Sequence, residues 1–171
     1  MASFDPAIDF VLANEGSALL NDPLTGEYSR YGITLSTASA LKLCAADDHP
    51  FIDQLTEDSA KSFYLDHFWH PMLLTSIRVQ QVANKWLDMG VNMGPRVAAR
   101  VAQKACNALG AGLIVDGITG YKTIMAVNIL DGNQLMLELR AESLQFYRNL
   151  VSQSPAKYQE YWAAWKERAE K

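Results

Sequence analysis

The stretch NEGSALLNDPLTGEYSRYGIT, residues 14–34, decides how the chain begins to fold. Apolar residues before it recur at helical spacing, which predicts a first helix capped by Asp5, with Pro6 at its first position. Gly16 is expected to end that helix, because glycine readily adopts the left-handed conformation. Residues 18–33 lose the helical period and contain the turn signals Asn21-Asp22-Pro23 and Thr25-Gly26. They therefore predict a small irregular β-hairpin.

The rest of the chain predicts a mainly α fold. Thr34 or Ser36 can cap the second helix and Thr56 a later one, and Pro71 can end that later helix. The expected helices are 36–45, 56–70, one ending at Asn92-Met93-Gly94, one from Pro95 to Gly110, 121–130, 133–152 and 155–169. The short connector 110–120 is the one plausible seam. We therefore expect a single domain over residues 1–171, in which 95–171 pack on the catalytic half 1–94.

Aromatic residues at helical spacing are interpreted first as core. This prediction applies to Trp69, Trp86 and a stripe in the last helix formed by Tyr158, Tyr161, Trp162 and Trp165. A sugar-stacking surface is the alternative for the stripe.

The composition excludes several classes of protein. Of 171 residues, 49% are hydrophobic and 20% charged, which is typical of a globular chain, and the net charge is −4. No basic stripe of a nucleic-acid-binding protein, basic membrane-surface helix or apolar run long enough for a membrane span is evident. The N-terminus lacks a secretory signal pattern, so we expect synthesis in the cytoplasm. Cys44 and Cys106 are expected to be buried free thiols.

Glu15 is the first candidate for chemistry. A carboxylate at the C-terminus of a helix lies near unpaired carbonyl groups and the negative end of the helix dipole. Both disfavour its ionised form, and a carboxylic acid that keeps its proton is what a general acid requires. A solvated glutamate at a frayed helix end is the alternative.

Two other patterns are less specific. His67 and His70 lie three residues apart beside Asp66, but no third ligand follows at a typical spacing, so a polar helix face is favoured. The run GITGYKT, residues 117–123, looks like a phosphate-binding loop. Tyr121 interrupts its Gly-Lys-Thr, and no strand precedes it. We therefore predict neither a metal nor a cofactor.

Four motifs in order resemble glycoside hydrolase family 108, the lysozyme-like N-acetylmuramidases of phage endolysins and bacterial secretion activators. The first motif is the helix end Glu15-Gly16, followed by Asn21-Asp22-Pro23 and Tyr31-Gly32-Ile33-Thr34. The second is the run LTEDSA from Leu55, followed by Tyr64 and Phe68-Trp69. The third is GVNMGP from Gly90, and the fourth is DGITG from Asp116. The last resembles a peptidoglycan-binding-like segment. The resemblance implies a lysozyme-like fold and hydrolysis of the β-1,4 bond between N-acetylmuramic acid and N-acetylglucosamine.

The resemblance also implies roles for single residues. Glu15 matches the family's general acid. The family's second aspartate has no counterpart at its expected place, so Asp22 or, alternatively, Glu27 is left as the second carboxylate. Ser29 stands where the family has a threonine, and its hydroxyl could hold a water molecule.

Tyr31 and Asn92 are candidates for sugar binding, as is Glu27; a packed aromatic and a helix cap are the alternative interpretations of Tyr31 and Asn92. The expected partner is the glycan strand of peptidoglycan, and we expect neither nucleic-acid binding nor insertion into a membrane. The protein is expected to be a monomer that reaches the cell wall after release or dedicated export. Two other classes of function stay open: a non-catalytic peptidoglycan-binding protein and a helical interaction protein associated with secretion.

Overall fold

The computed structural model describes residues 1–22 and 26–171 and is built mainly of helices. In the first half the elements are α1 (Phe4–Glu15), β1 (Leu19–Asn21), β2 (Tyr28–Arg30), β3 (Ile33–Thr34), α2 (Leu35–Ala40), α3 (His49–Asp53), α4 (Glu57–Tyr64), a π-helical turn (Leu65–Trp69) and a 3₁₀ turn (Leu74–Ser76). In the second they are α5 (Gln80–Met93), α6 (Pro95–Ala108), α7 (Tyr121–Ile129), α8 (Gly132–Gln153), α9 (Pro155–Tyr158), a 3₁₀ turn (Gln159–Tyr161) and α10 (Trp162–Glu170).

Helix α1 ends as predicted but begins earlier. Glu15 is its last residue, and Gly16 follows with φ +72°. The N-cap is Ser3 rather than Asp5, so Pro6 occupies the third helical position. The backbone N–H of Ser3 donates instead to the side chain of Gln80. A contact from a distant helix therefore replaces the local cap that the sequence favoured.

The predicted hairpin is a three-stranded antiparallel sheet in the order β1-β2-β3. Ser29 lies in the central strand, opposite Leu20 of β1 and Thr34 of β3. The predicted turn at Pro23 and Thr25 lies outside the described residues. The sheet places the Tyr31-Gly32 turn between β2 and β3, and helix α2 follows β3 directly.

Several helix boundaries differ from the prediction for local reasons. Helix α2 is capped by Thr34 and ends at Ala40, five residues earlier than expected. Helix α3, capped by Asp48, was not predicted. The predicted helix 56–70 is capped by Thr56 and continues beyond α4 as a π-helical turn. The predicted last helix is interrupted, because α9 and α10 are separated by a 3₁₀ turn.

Helix α5 lies at the centre and packs against α1, α6 and α8, while α10 packs against α8. Trp69 and Trp86 are buried as predicted, and buried side chains from both halves of the chain belong to one hydrophobic cluster. Cys106 is buried as expected, whereas Cys44 is half-exposed, and both thiols are free. None of the helices in the described part of the chain is both long and apolar enough to cross a bilayer.

Candidate active site

Glu15 stands at the end of α1 and faces the last helix of the chain. Its Oε1 atom lies 2.6 Å from Nη2 of Arg168 in α10, and 17% of the glutamate side chain is exposed. The sequence analysis expected the helix terminus to keep this carboxyl group uncharged. The structure adds a guanidinium partner, Arg168, to the surroundings of this carboxyl group. No local pattern indicates a partner that lies 153 residues further along the chain.

Arg168 joins Glu15 to a second carboxylate, which the sequence analysis missed. Nη2 of Arg168 lies 2.9 Å from Oδ1 of Asp88, and Nε donates to the same oxygen at 3.0 Å. Asp88 belongs to α5 and is almost fully buried, and the amide of Asn14 also donates to it. Burial opposes the charge of Arg168, but Asp88 and then Glu15 raise its pKa above the usual value. Arg168 is therefore a cation with two carboxylate partners.

The end of α10 is held in place by a lysine of α5. Nζ of Lys85 donates to the backbone oxygens of Arg168 and Ala169 at 2.6 and 3.0 Å. Burial lowers the pKa of Lys85 to about 8, although attraction to Asp88 opposes this change. These bonds satisfy carbonyl groups that the helix terminus leaves without partners. They fix the position from which Arg168 reaches Glu15.

The Tyr31-Gly32 turn packs directly on the carboxyl group of Glu15. Gly32 has φ +74°, and a β-carbon there would lie 2.5 Å from Oε2 and 2.6 Å from Cδ of Glu15. Tyr31 also has a positive φ, and its carbonyl oxygen accepts a hydrogen bond of 2.8 Å from the buried phenol of Tyr64. Burial, with a smaller contribution from Glu15, raises the pKa of Tyr64. The site therefore requires glycine at position 32.

Asp22 and Glu27 have different surroundings. Asp22 follows β1, and its Oδ2 atom accepts a hydrogen bond of 2.9 Å from the phenol of Tyr161. Both carboxylate oxygens of Glu27 are bonded to Ser36, one to the backbone N–H at 3.1 Å and one to the hydroxyl at 2.7 Å. Glu27 thus anchors the first turn of α2. The two carboxylates are thus directed to different parts of the chain, Glu27 to α2 and Asp22 to the C-terminal helices.

The predicted aromatic stripe is half-exposed and does not belong to the core. It is instead part of a stack in which the ring of Trp165 lies 5.0 Å from Tyr147 and 5.4 Å from Tyr161, both nearly parallel. Tyr147 donates a hydrogen bond of 2.5 Å to Oδ1 of Asn92. Asn92 is inside α5, one residue before its end, rather than in a turn. The stack therefore links Asn92 at one end to Asp22 at the other.

The structure thus brings Glu15 together with Arg168 and with Gly32, the neighbour of Tyr31, and connects Asp22 with Asn92 through the stack. Ser29 lies between its two neighbouring strands, and the carboxylate of Glu27 is directed to α2. The catalytic and binding roles of these residues stay predictions. Within residues 1–22 and 26–171, no cluster of metal-binding side chains is found, and His67 packs its ring 5.0 Å from Phe63.

Comparison with known proteins shows the family of this chain. The model of the family described as glycosyl hydrolase 108 matches residues 8–94, which include Glu15, the sheet and α5. The chain belongs to the glycosyl hydrolase 108 family. It is therefore a glycoside hydrolase, as the resemblance of its motifs implied.

A solved structure extends the comparison to the whole chain. The structure of Brucella abortus SagA is 24% identical, with a TM-score of 0.74 over 97% of this chain and 92% of that one. This likeness shows the mainly α, lysozyme-like fold and includes the helices that follow residue 94. Arg168, Trp165 and Tyr161 lie in those helices, outside the part that the family model matches. A search of curated proteins finds no match.

Proposed function

We propose that this glycoside hydrolase is an N-acetylmuramidase, which cleaves the β-1,4 bond between N-acetylmuramic acid and N-acetylglucosamine in peptidoglycan. The family supports a glycan as substrate. The observation that carries the proposal is the placement of Glu15, whose carboxyl group is held by Arg168 on one side and by the Gly32 backbone on the other. A group held so firmly is suited to act on one bond of a bound strand.

Glu15 is the proposed general acid. It must hold a proton when the glycosidic oxygen leaves, so Arg168 has to tolerate a neutral Glu15. Asp88 would make this possible, because the hydrogen bond of Nε and the ion pair of Nη2 with Asp88 do not depend on the charge of Glu15. Arg168 holds Oε1, which leaves Oε2, beside the Tyr31-Gly32 turn, to donate the proton to the substrate.

Asp22 is the proposed second carboxylate. An oxocarbenium-like carbon needs a negative group or an activated water molecule on its other side. Tyr161 helps to orient Asp22 with a hydrogen bond to Oδ2. The hydroxyl of Ser29 is proposed to orient water, and Tyr31 and Asn92 to bind the sugars. Glu27 is proposed to contribute by holding the sheet to α2. The enzyme would reach peptidoglycan after release from the cytoplasm or dedicated export.

The test is Glu15→Gln, measured by the loss of turbidity of purified cell walls and by mass spectrometry of the fragments. Glutamine can still accept a bond from Arg168 but cannot donate the proton, so a loss of about a thousandfold or more is expected. The fold should persist, because Arg168 keeps Asp88. Glu170→Gln is the matched control, since Glu170 also ends a helix but pairs with an exposed lysine.

Fragments with N-acetylmuramic acid at the reducing end would support the proposed bond, and N-acetylglucosamine there would contradict it. Near-normal lysis by folded Glu15→Gln would contradict the role of Glu15. Binding of walls without release of fragments by the unaltered protein would favour the alternative of a non-catalytic binding protein.

A further inference from the structure

Large apolar side chains are exposed together on the loop after α6 and on α7. On the loop, Ile114 is 81% exposed and Ile118 61%. On α7, Tyr121 is 77% and Ile129 73% exposed, and Met125 lies between them at four-residue spacing. An exposed helix face that is apolar along its length indicates an interaction surface. We refer to Ile114, Ile118, Tyr121, Met125 and Ile129 as the apolar patch.

The loop that carries two of these five side chains is held firmly on α6. The buried side chain of Gln103 donates to Asp116 and accepts from the backbone of Gly117, at 2.8 and 2.9 Å. Asn107 forms two hydrogen bonds with the backbone of Leu113. Gly117 packs so closely that a β-carbon would lie 2.7 Å from the carbonyl oxygen of Arg96. The exposed isoleucines are therefore displayed by a fixed loop rather than by a frayed one.

Basic side chains lie on α6, against which the loop packs, and on α7. Residues 95–130 contain four basic side chains and one acidic side chain, so this segment carries +3 in a chain of net charge −4. Arg96, Arg100 and Lys104 follow one exposed face of α6, and Lys122 lies on α7. Among the described residues, no carboxylate forms an ion pair with these four cations. The sequence analysis missed these basic side chains because the net charge of the whole chain is negative.

We propose that the apolar patch and these basic side chains bind the surface of a bilayer that contains anionic lipids. Isoleucine and methionine side chains would enter the boundary between headgroups and acyl chains, and Tyr121 would lie at that boundary. The four cations would meet the lipid phosphates. Because the patch consists of a loop and a short helix, the protein lies on the bilayer and does not span it.

The combination of features favours a lipid surface over other anionic partners. A soluble polyanion would be bound by the cations alone and would leave Ile114 and Ile129 in water. A second copy of this chain would bring the same positive charges together, which opposes association. A bilayer accommodates both the apolar side chains and the charges.

The test is flotation of the full chain with vesicles of phosphatidylglycerol and phosphatidylethanolamine, compared with phosphatidylcholine alone. We expect binding to the anionic vesicles that weakens with added salt. Lys104→Glu/Lys122→Glu should weaken binding at least about tenfold, since each cation near an anionic surface contributes about fivefold. Ile118→Ser/Tyr121→Ser/Ile129→Ser should weaken it by a similar factor. The measurement does not involve the proposed wall hydrolysis.

Two control variants alter comparable side chains elsewhere on the surface. Lys42→Glu/Lys157→Glu alters the net charge equally, and Leu41→Ser/Leu43→Ser removes exposed apolar side chains outside the patch. Both should bind like the unaltered chain. Thermal unfolding would verify that every variant is folded.

Three results would overturn the proposal. The first is absence of binding, or equal binding to phosphatidylcholine. The second is loss with the lysine variant alone, which would indicate a polyanion site. The third is a dimer of the unaltered chain in sedimentation, with Ile118→Ser/Tyr121→Ser/Ile129→Ser remaining a monomer. A second copy of the chain would then occupy the patch.

Discussion

Tyr161 donates a hydrogen bond of 2.9 Å to Oδ2 of Asp22, across 139 residues of sequence. The ring of Tyr161 stacks on Trp165, one turn before Arg168, which contacts Glu15. The C-terminal helices therefore contact both proposed catalytic carboxylates, one through a phenol and one through a guanidinium. The hydrogen bond to Asp22 raises the pKa of Tyr161, so this tyrosine remains a donor throughout the neutral range.

Asp22→Asn is expected to lower wall hydrolysis by about a hundredfold or more, because the amide cannot serve as a base or nucleophile. Tyr161 can still donate to the amide oxygen, so the fold should be unchanged. Glu27→Gln should keep most activity and lose about 1 kcal/mol of stability, since one of its two bonds to Ser36 is weakened. Rates on one wall preparation, with chemical denaturation of each variant, compare the two. An inactive Glu27→Gln beside an active Asp22→Asn would reverse their proposed roles.

Gly32→Ala is expected to impair the site as well as the fold. Its positive φ is unfavourable for alanine by roughly 1–2 kcal/mol, and the new methyl group would displace the carboxyl group of Glu15. Gly110→Ala is the matched control, because Gly110 has φ +88° and nothing within 4 Å of its β-position. Both should lower the free energy of unfolding, but only Gly32→Ala should also lower the rate of wall hydrolysis. Equal rates for the two variants would show that the contact with Glu15 is unimportant.

The sequence predicted those parts of the fold that local patterns determine. The end of α1 at Gly16, the hairpin, the cap at Thr56 and the break between α5 and α6 at Gly94 follow from residues within a turn of each boundary. The start of α1 was wrong because Gln80, a distant residue, supplies the partner of the Ser3 N–H. Local caps are predictable, whereas caps from another helix are not.

The candidate site divides in the same way. Glu15 was found because its position at a helix end is visible in the sequence. Arg168 and Asp88 were missed, since a lone arginine in a charged C-terminal helix and an aspartate within an apolar helix show no pattern that joins them. The aromatic stripe was found, but its assignment to the core was wrong because α10 packs at the surface.

Lys85 is expected to make stability depend on pH between about 8 and 10.5. Its pKa is lowered from 10.5 to about 8 in the folded chain, mainly by burial. The unfolded chain therefore binds more protons within this window, and the free energy of unfolding contributed by Lys85 rises with pH across it. The full rise is roughly 3 kcal/mol. Below pH 8 the group is protonated in both states, and its unfavourable contribution is fully present.

The measurement is chemical denaturation of the unaltered chain and of Lys85→Met at pH 7, 8, 9 and 10. These pH values bracket the folded pKa of about 8. The difference between the two free energies should increase in favour of lysine as the pH rises. Other groups with altered pKa values, such as Tyr147 and Cys106, are common to both proteins and cancel. Parallel curves would show that Lys85 does not titrate in this range.

The whole chain is expected to unfold in one cooperative transition, although the family model matches only residues 8–94. Helix α5 packs against α1 and α8, and Lys85 and Asp88 of α5 bind the end of α10. A cut at residue 111 would separate Arg168 from both carboxylate partners and expose the face of α8 that packs on α5. Calorimetry should give equal calorimetric and van't Hoff enthalpies for the intact chain, and the cut protein should be insoluble or lack fixed packing. Two separate transitions, or a soluble fragment 111–171 that binds peptidoglycan by itself, would show that the halves are independent domains.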